Sequence, residues 1–269
     1  MRALVVLIAL VMILAAPAVA QKKTPAEIEG VRLDQNLDAL LPLNTTFVTS
    51  SGETVRLDDL RTGRPVVLGL VYYRCPMLCN LLLEGLLSAI RPLSLTVGED
   101  FDIWTVSFDE REGPELAARK KKSIVDAYER EGAEQGWHFL TGDAASIDAL
   151  CKAVGFHYQW DEETQQFAHS SALIVATPEG RISRYFYGVE YQPRDLRLGL
   201  VEASQNEIGS PVDQLLLMCF QYDPATGKYG FVIQGFLRGA GILTAAAVGG
   251  FIGWCLWRER RARQAPAAH

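Results

Sequence analysis

The feature that most constrains this chain is Cys75-Pro76-Met77-Leu78-Cys79, set where an apolar run meets a helix-forming one. Before it lies Val66-Val67-Leu68-Gly69-Leu70-Val71-Tyr72-Tyr73, the unbroken hydrophobic stretch of a strand buried on both faces. After it, Asn80 to Ile90 has the length and leucine content of a helix. Proline suits a first helical position, where its missing N–H breaks no hydrogen bond. The spacing predicts Cys75 at the helix cap and Cys79 about one turn in, on a similar face. The dipole at a helix N-terminus favours the thiolate, the form of cysteine that attacks disulfides and ligates metals. Two such sulfurs can close a disulfide, hold a soft metal ion, or alternate between the two.

The ends of the chain predict a compartment. Residues 1–20 have a basic Arg2, an apolar core and a small-residue Ala18-Val19-Ala20 site, the pattern of a secretory signal, with an uncleaved N-terminal anchor as the alternative. Gly239 to Trp257 holds no charged residue, and Arg258, Arg260, Arg261 and Arg263 follow it. That pattern predicts a transmembrane helix over 236–257 and a cytoplasmic basic tail over 258–269. The expected location is the inner membrane, through a single C-terminal span, with the main domain in the periplasm. Without an Arg-rich transit peptide, a mitochondrial intermembrane space is the weaker alternative. The formal net charge of −6 comes with no basic stripe, which argues against nucleic acid as a partner. Of five cysteines, Cys255 falls in the expected span. The other four are too few for a disulfide scaffold. Cys151 reads as a small core residue, and Cys219 as core packing or as a redox or metal group.

The element order between these ends is informative. Thr46–Thr49 and Thr54–Leu57 read as a β-hairpin, followed by the cysteine-bearing strand and helix. A strand over Phe101–Phe108 and a helix opened by Gly113-Pro114-Glu115 come next. Trp137–Leu140 is a short strand, and Asp143 caps a helix carrying Cys151. Ser171–Ala176 and Arg181–Tyr187 form a hairpin through Thr177-Pro178-Glu179-Gly180, before helices opened by Pro193 and Ser210-Pro211. The sum is an α/β protein: a thioredoxin-like sandwich with an N-terminal β-hairpin, plus the C-terminal transmembrane helix. Its expected divisions are an N-terminal extension over 21–42, the thioredoxin-like domain over 43–205 and a membrane-proximal extension over 206–235.

Two thiolates favour copper(I) or zinc. Zinc demands three or four protein ligands, whereas copper(I) accepts two or three, so a third ligand decides the matter. His138 lies in a short apolar strand and reads as a core residue. His157 stands beside Tyr158 and Trp160 on a part-exposed surface. His169 ends a polar loop over Asp161–Gln166, just before the Ser171–Ala176 strand, and can reach over the end of the sheet where the cysteines sit.

Three stretches of this chain resemble the Sco/SenC family of copper-binding, thioredoxin-like cytochrome oxidase assembly proteins. They are Pro65-Val66-Val67-Leu68 through Tyr73-Arg74-Cys75-Pro76-Met77-Leu78-Cys79, Thr105-Val106-Ser107-Phe108-Asp109, and Phe167-Ala168-His169-Ser170-Ser171 before Pro178-Glu179-Gly180. The resemblance implies copper, Cu(I) or Cu(II), held by Cys75, Cys79 and His169, with Asp109 in support, orienting a ligand or balancing charge. It implies an accessory protein delivering copper to the dinuclear site of cytochrome c oxidase. The partner is then the oxidase's copper-bearing subunit, with another copper carrier or a thiol reductant as further candidates. Two departures stand out: Met77 where the family has an acid, and Asn80 where it has a second proline. Met77 reads as hydrophobic packing, with a soft thioether ligand as the alternative. A second function uses the same residues: a thiol–disulfide oxidoreductase in which Cys75 and Cys79 are catalytic and His169 is dispensable. A peroxiredoxin-like peroxidase fits less well, because its reactive cysteine occupies a different loop pattern.

Overall fold

The computed structural model describes residues 30–209, 222–223, 228–229, 240–244, 248–254 and 257–258. Residues 1–209 belong to one compact unit and 210–269 to another. The first unit opens with Arg32–Leu33 (β1), Thr46–Thr49 (β2), Thr54–Arg56 (β3), Val66–Val71 (β4), Leu78–Ile90 (α1) and Asp102–Ser107 (β5). Pro114–Tyr128 (α2), the single turn Ala133–Gly136 (α3), Trp137–Thr141 (β6) and Ala144–Ala153 (α4) follow. Phe156–Asp161 (β7), Gln166–His169 (β8), Ala172–Ala176 (β9), Ile182–Tyr187 (β10) and Pro193–Ser204 (α5) complete it.

Seven strands form one sheet in the order β10-β9-β4-β5-β6-β2-β3. The three central strands are parallel, β4 to β5 and β5 to β6, and every other pairing is antiparallel. All residues of β4 and β5 are buried, as an unbroken apolar run predicts for a central strand. Helix α1 turns Leu82, Leu83, Leu86 and Ile90 inward and packs against α2 and α5. Asp143 caps α4 as expected, accepting the Ser146 N–H at 2.7 Å. The β2–β3 hairpin and the β9–β10 hairpin also stand where turn chemistry placed them.

Two local expectations change. Residues 161–166 do not form a loop running up to His169. They close a hairpin between β7 and β8, and those strands join β1 in a separate three-stranded sheet. Phe156 and Tyr158 alternate along β7 and meet the Phe108 ring at 5.2 and 4.7 Å, so one face of the small sheet is glued to the end of β5. The helix after the cysteine motif also begins at Leu78, two residues later than Pro76. Its first α-helical bond runs from the Leu81 N–H to the Met77 carbonyl at 3.1 Å.

The C-terminal unit contains an antiparallel pair, Tyr222–Asp223 (β11) with Lys228–Tyr229 (β12). The expected transmembrane helix is not upheld: among the described residues no helix is long and apolar enough to cross a membrane. The longest described helical stretch there, 248–254, rises about 10 Å, against a hydrocarbon core of about 30 Å. With it falls the expected localisation, a single C-terminal inner-membrane span tethering a periplasmic domain. The expected signal sequence, the expected helix opened by Ser210, Cys219, Cys255 and most of the expected basic tail and membrane-proximal extension lie outside the described residues.

Gly85 marks a tight contact within the first unit. A Cβ there would collide with the Val189 backbone carbonyl, so α1 lies against the chain after β10 with no room for a side chain. Gly85→Ala is expected to destabilise the fold by about 1–3 kcal/mol, measured by denaturant unfolding of the full chain.

Candidate metal and thiol-exchange site

Strand β4 ends at Val71 and the chain turns at once. The Cys75 N–H donates to the Tyr72 carbonyl at 3.1 Å, and Cys75 leads into the start of α1. Met77, the helix cap, offers no side-chain bond. The Cys75 sulfur serves instead, accepting the Cys79 N–H at 3.4 Å, while the Cys79 sulfur accepts the Tyr72 N–H at 3.3 Å. Each thiol is thus fixed by the backbone beside the other. The delayed helix start follows from this: residues 75–77 form the turn that brings a sulfur, rather than a proline, to the helix end.

The two thiols are chemically unequal. A hydrogen bond from Cys79 chiefly lowers the Cys75 pKa, to about 3, with His169 and the backbone N–H groups of Cys79 and Met77 adding to the effect. The same hydrogen bond, together with burial, pushes the Cys79 thiol well up. One proton is therefore held between them, on Cys79, and Cys75 is the thiolate. Both are free, as is Cys151, which burial in α4 pushes up to about 12.

His169 ends β8 and stands over this pair. Its Nε2 lies 3.9 Å from the Cys79 sulfur. Its Nδ1 lies 2.8 Å from the Ser170 carbonyl, which can only accept, so the neutral ring carries its proton on Nδ1 and turns the Nε2 lone pair to the sulfurs. The rings of Phe108, Tyr72 and Phe156 stand 5.0, 5.9 and 5.9 Å from the imidazole and fix its orientation. Cys75, Tyr72, Met77 and His169 share a cleft of about 220 Å³. Met77 is 67% exposed at its rim, so the expected hydrophobic packing does not hold.

The structure thus brings Cys75, Cys79 and His169 together. Two sulfurs and an imidazole nitrogen form a soft donor set suited to copper. The His169 Nε2 stands 3.9 Å from the Cys79 sulfur, the Cys79 N–H reaches the Cys75 sulfur at 3.4 Å, and among the described residues no group of three or more His, Cys, Asp or Glu side chains is already spaced as a metal cage. A metal ion would take the place of the proton between the sulfurs.

Asp109 is buried beside the site, and its oxygens pair with the Arg111 guanidinium at 2.6 and 2.8 Å. Arg111 lies over the Trp160 and Phe167 rings at 4.7 and 5.2 Å, tying the loop after β5 to the β7–β8 hairpin that carries His169. The other two histidines among the described residues stand apart from the thiols. His157 pairs with Asp34 at 3.0 Å, and burial lowers the pKa of His138. Sequence reasoning passed over Glu112, whose carboxylate receives the Tyr73 and Arg74 N–H groups at 2.6 and 2.7 Å. Nothing separates it in sequence from its neighbours Glu110 and Glu115. The aromatic seat of His169 did leave a signal, the alternation of Phe156, Tyr158 and Trp160.

A central parallel βαβ unit, a thiol pair at the strand-to-helix turn and a histidine facing it define a protein of thioredoxin-like fold. The SCO1/SenC family model matches residues 41–198, more than half of the 269, and the chain belongs to the SCO1/SenC family. Among solved structures, a proposed electron transfer protein of Aquifex aeolicus VF5 is similar at 28% identity and a TM-score of 0.56, covering 64% of this chain and 95% of its own. A SCO1/SenC family lipoprotein of Bacillus anthracis str. Ames matches at 17% identity and TM-score 0.51, over 64% of this chain and 99% of that one. ScoI of Arabidopsis thaliana, solved with copper bound, matches at 21% identity and TM-score 0.50, over 60% of this chain and 96% of that one. The last two likenesses concern the fold. No curated protein sequence matches the chain.

The unequal thiols predict an unusual pH profile. Thiol alkylation follows the thiolate fraction, which falls tenfold per pH unit below an ordinary thiol's pKa of about 8.5. With the Cys75 pKa near 3, its alkylation rate in the reduced protein is expected to stay level between about pH 5 and 8. Peptide mapping after iodoacetamide treatment measures this, with Cys151 unmodified across the range.

Proposed function

We propose that this protein carries a copper ion as cargo on Cys75, Cys79 and His169, and passes it to the copper-bearing subunit of a cytochrome c oxidase during assembly. The observation that carries the reading is the convergence of two thiols and one imidazole lone pair, with Cys75 and His169 lining a single cleft and Cys79 buried behind them. Soft sulfur donors favour Cu(I), and the imidazole accommodates Cu(II) as well. A three-ligand set with Cys75 and His169 on the cleft leaves an open side, through which a second set of cysteines can replace the first by stepwise exchange. Family membership and the copper-bound ScoI of Arabidopsis thaliana support copper as the ion. Asp109, through Arg111 and the aromatic rings, supports the strand that presents His169.

The inequality of the thiols favours a second use of the same pair. The Cys75 thiolate attacks an acceptor disulfide, forming a mixed disulfide and releasing one acceptor thiolate. Cys79, losing its proton to that thiolate, attacks Cys75 and frees the second acceptor sulfur. The acceptor gains two electrons and leaves Cys75–Cys79 as a disulfide. His169 makes and breaks no bond in this exchange and is dispensable for it, which separates the two functions experimentally.

The test is a Cu(I) titration of the reduced full chain against a competing chelator. One-to-one binding is expected in the wild type, with at least a hundredfold weaker binding in Cys75→Ser and Cys79→Ser and a loss of about tenfold in His169→Ala. Binding unchanged in His169→Ala would remove that residue from the site and move the weight to disulfide exchange.

A further inference from the structure

Glu112 is buried, yet it belongs to neither the ligand set nor an ion pair described above. Three donors converge on its carboxylate. Oε2 accepts the Tyr73 N–H and the Ser107 hydroxyl, each at 2.6 Å, and Oε1 accepts the Arg74 N–H at 2.7 Å. Tyr73 and Arg74 are the two residues before Cys75, so consecutive backbone amides of the turn end on one carboxylate. A buried carboxylate is retained only when its hydrogen bonds replace those of water, and bonds to an ionised acceptor are about twice as strong as neutral ones. Tyr73 is also held at its far end, where its hydroxyl is shared between the Thr105 and Leu140 carbonyls at 2.9 Å each. The turn therefore has one anchor in the sheet and one in Glu112, and Cys75 is the next residue it positions.

We propose that Glu112 is a positioning residue for the thiol pair: its carboxylate fixes the Tyr73–Arg74 backbone and thereby holds the Cys75 sulfur against Cys79 and His169. The inference rests on the reading of Cys75 and Cys79 as the working thiols. Glu112 moves no proton or electron and touches no cargo.

The experiment compares wild type, Glu112→Gln, Ser107→Ala and Asp102→Asn, all as the full chain. Glutamine keeps the shape and one acceptor oxygen, but sets an NH2 group against a donor. Ser107→Ala removes the hydroxyl that seats Oε2, and with it the acceptor of the Asp109 N–H at 3.2 Å. Asp102 is the control, a buried carboxylate at the opposite end of β5, paired with Arg64 at 2.9 Å and bonded to Thr62. Three quantities are measured: Cu(I) affinity, the reduction potential of the Cys75–Cys79 couple, and thermal stability. Glu112→Gln is expected to lose about tenfold in Cu(I) affinity and to shift the potential, the size expected for one hydrogen bond to a charged group. Ser107→Ala lowers the affinity a few-fold and shifts the potential in the same direction by less, and Asp102→Asn lowers the melting temperature while leaving both unchanged.

Affinity and potential equal to wild type in Glu112→Gln and Ser107→Ala would overturn the inference. So would equal losses in Asp102→Asn, which would mark the effect as general destabilisation. If Glu112→Gln does not fold, Ser107→Ala against Asp102→Asn decides. A wild type that takes up no Cu(I) defeats the copper proposal alone, and the potentials of the same four proteins still settle the role of Glu112.

Discussion

The register of β4 against β5 is the constraint on which the site depends. Val71 pairs with Ser107, and the Phe108 N–H continues the ladder to the Val71 carbonyl at 2.8 Å. Parallel strands in register end together, so the turn carrying Cys75 and the loop carrying Asp109 to Glu112 leave the sheet side by side. That is the carboxyl end of the strands, where open α/β sheets place their ligands. A slip of one residue would invert the faces of the strand and separate Glu112 from Tyr73 and Phe108 from His169. The full burial of both strands resists such a slip, because a shifted register would break the packing of the core.

The inequality of two chemically identical side chains follows from this placement. The backbone N–H of Cys79 points at the Cys75 sulfur, and that of Tyr72 points at the Cys79 sulfur. Burial falls harder on Cys79, which keeps the proton, while Cys75 gathers donors and faces the cleft. The result is a nucleophile at the surface of a cleft with its resolving partner behind it. The same arrangement, with His169 added, is a three-donor soft site, so copper handling and disulfide exchange compete for one set of atoms.

Much of the main sheet was legible before any coordinates. The alternating Thr46–Thr49 and Thr54–Arg56 strands, the unbroken apolar run of β4, Pro114 at the start of α2 and Asp143 at the cap of α4 are local signals with local causes. The small sheet was not read correctly, although the Phe156, Tyr158, Trp160 alternation is a strand signal. The intervening polar residues and the turn at 162–165 hid it among loop-like composition. The apolar C-terminal stretch misled in the other direction. Composition counted over 236–257 predicts a span, but no described helix there has the length that crossing requires.

The sequence by itself determined the thiol chemistry: two cysteines at a strand-to-helix junction and a histidine before a later strand, because residue type and local periodicity are properties of short stretches. Only the tertiary structure decided which thiol holds the proton, what seats the imidazole and which acid clamps the turn. Those depend above all on groups far apart in the chain: Glu112 and Tyr73 are 39 positions apart, Phe108 and His169 61, and His169 and Cys79 90. Such contacts form across parallel strands and between two sheets, and no short window of residues contains both partners.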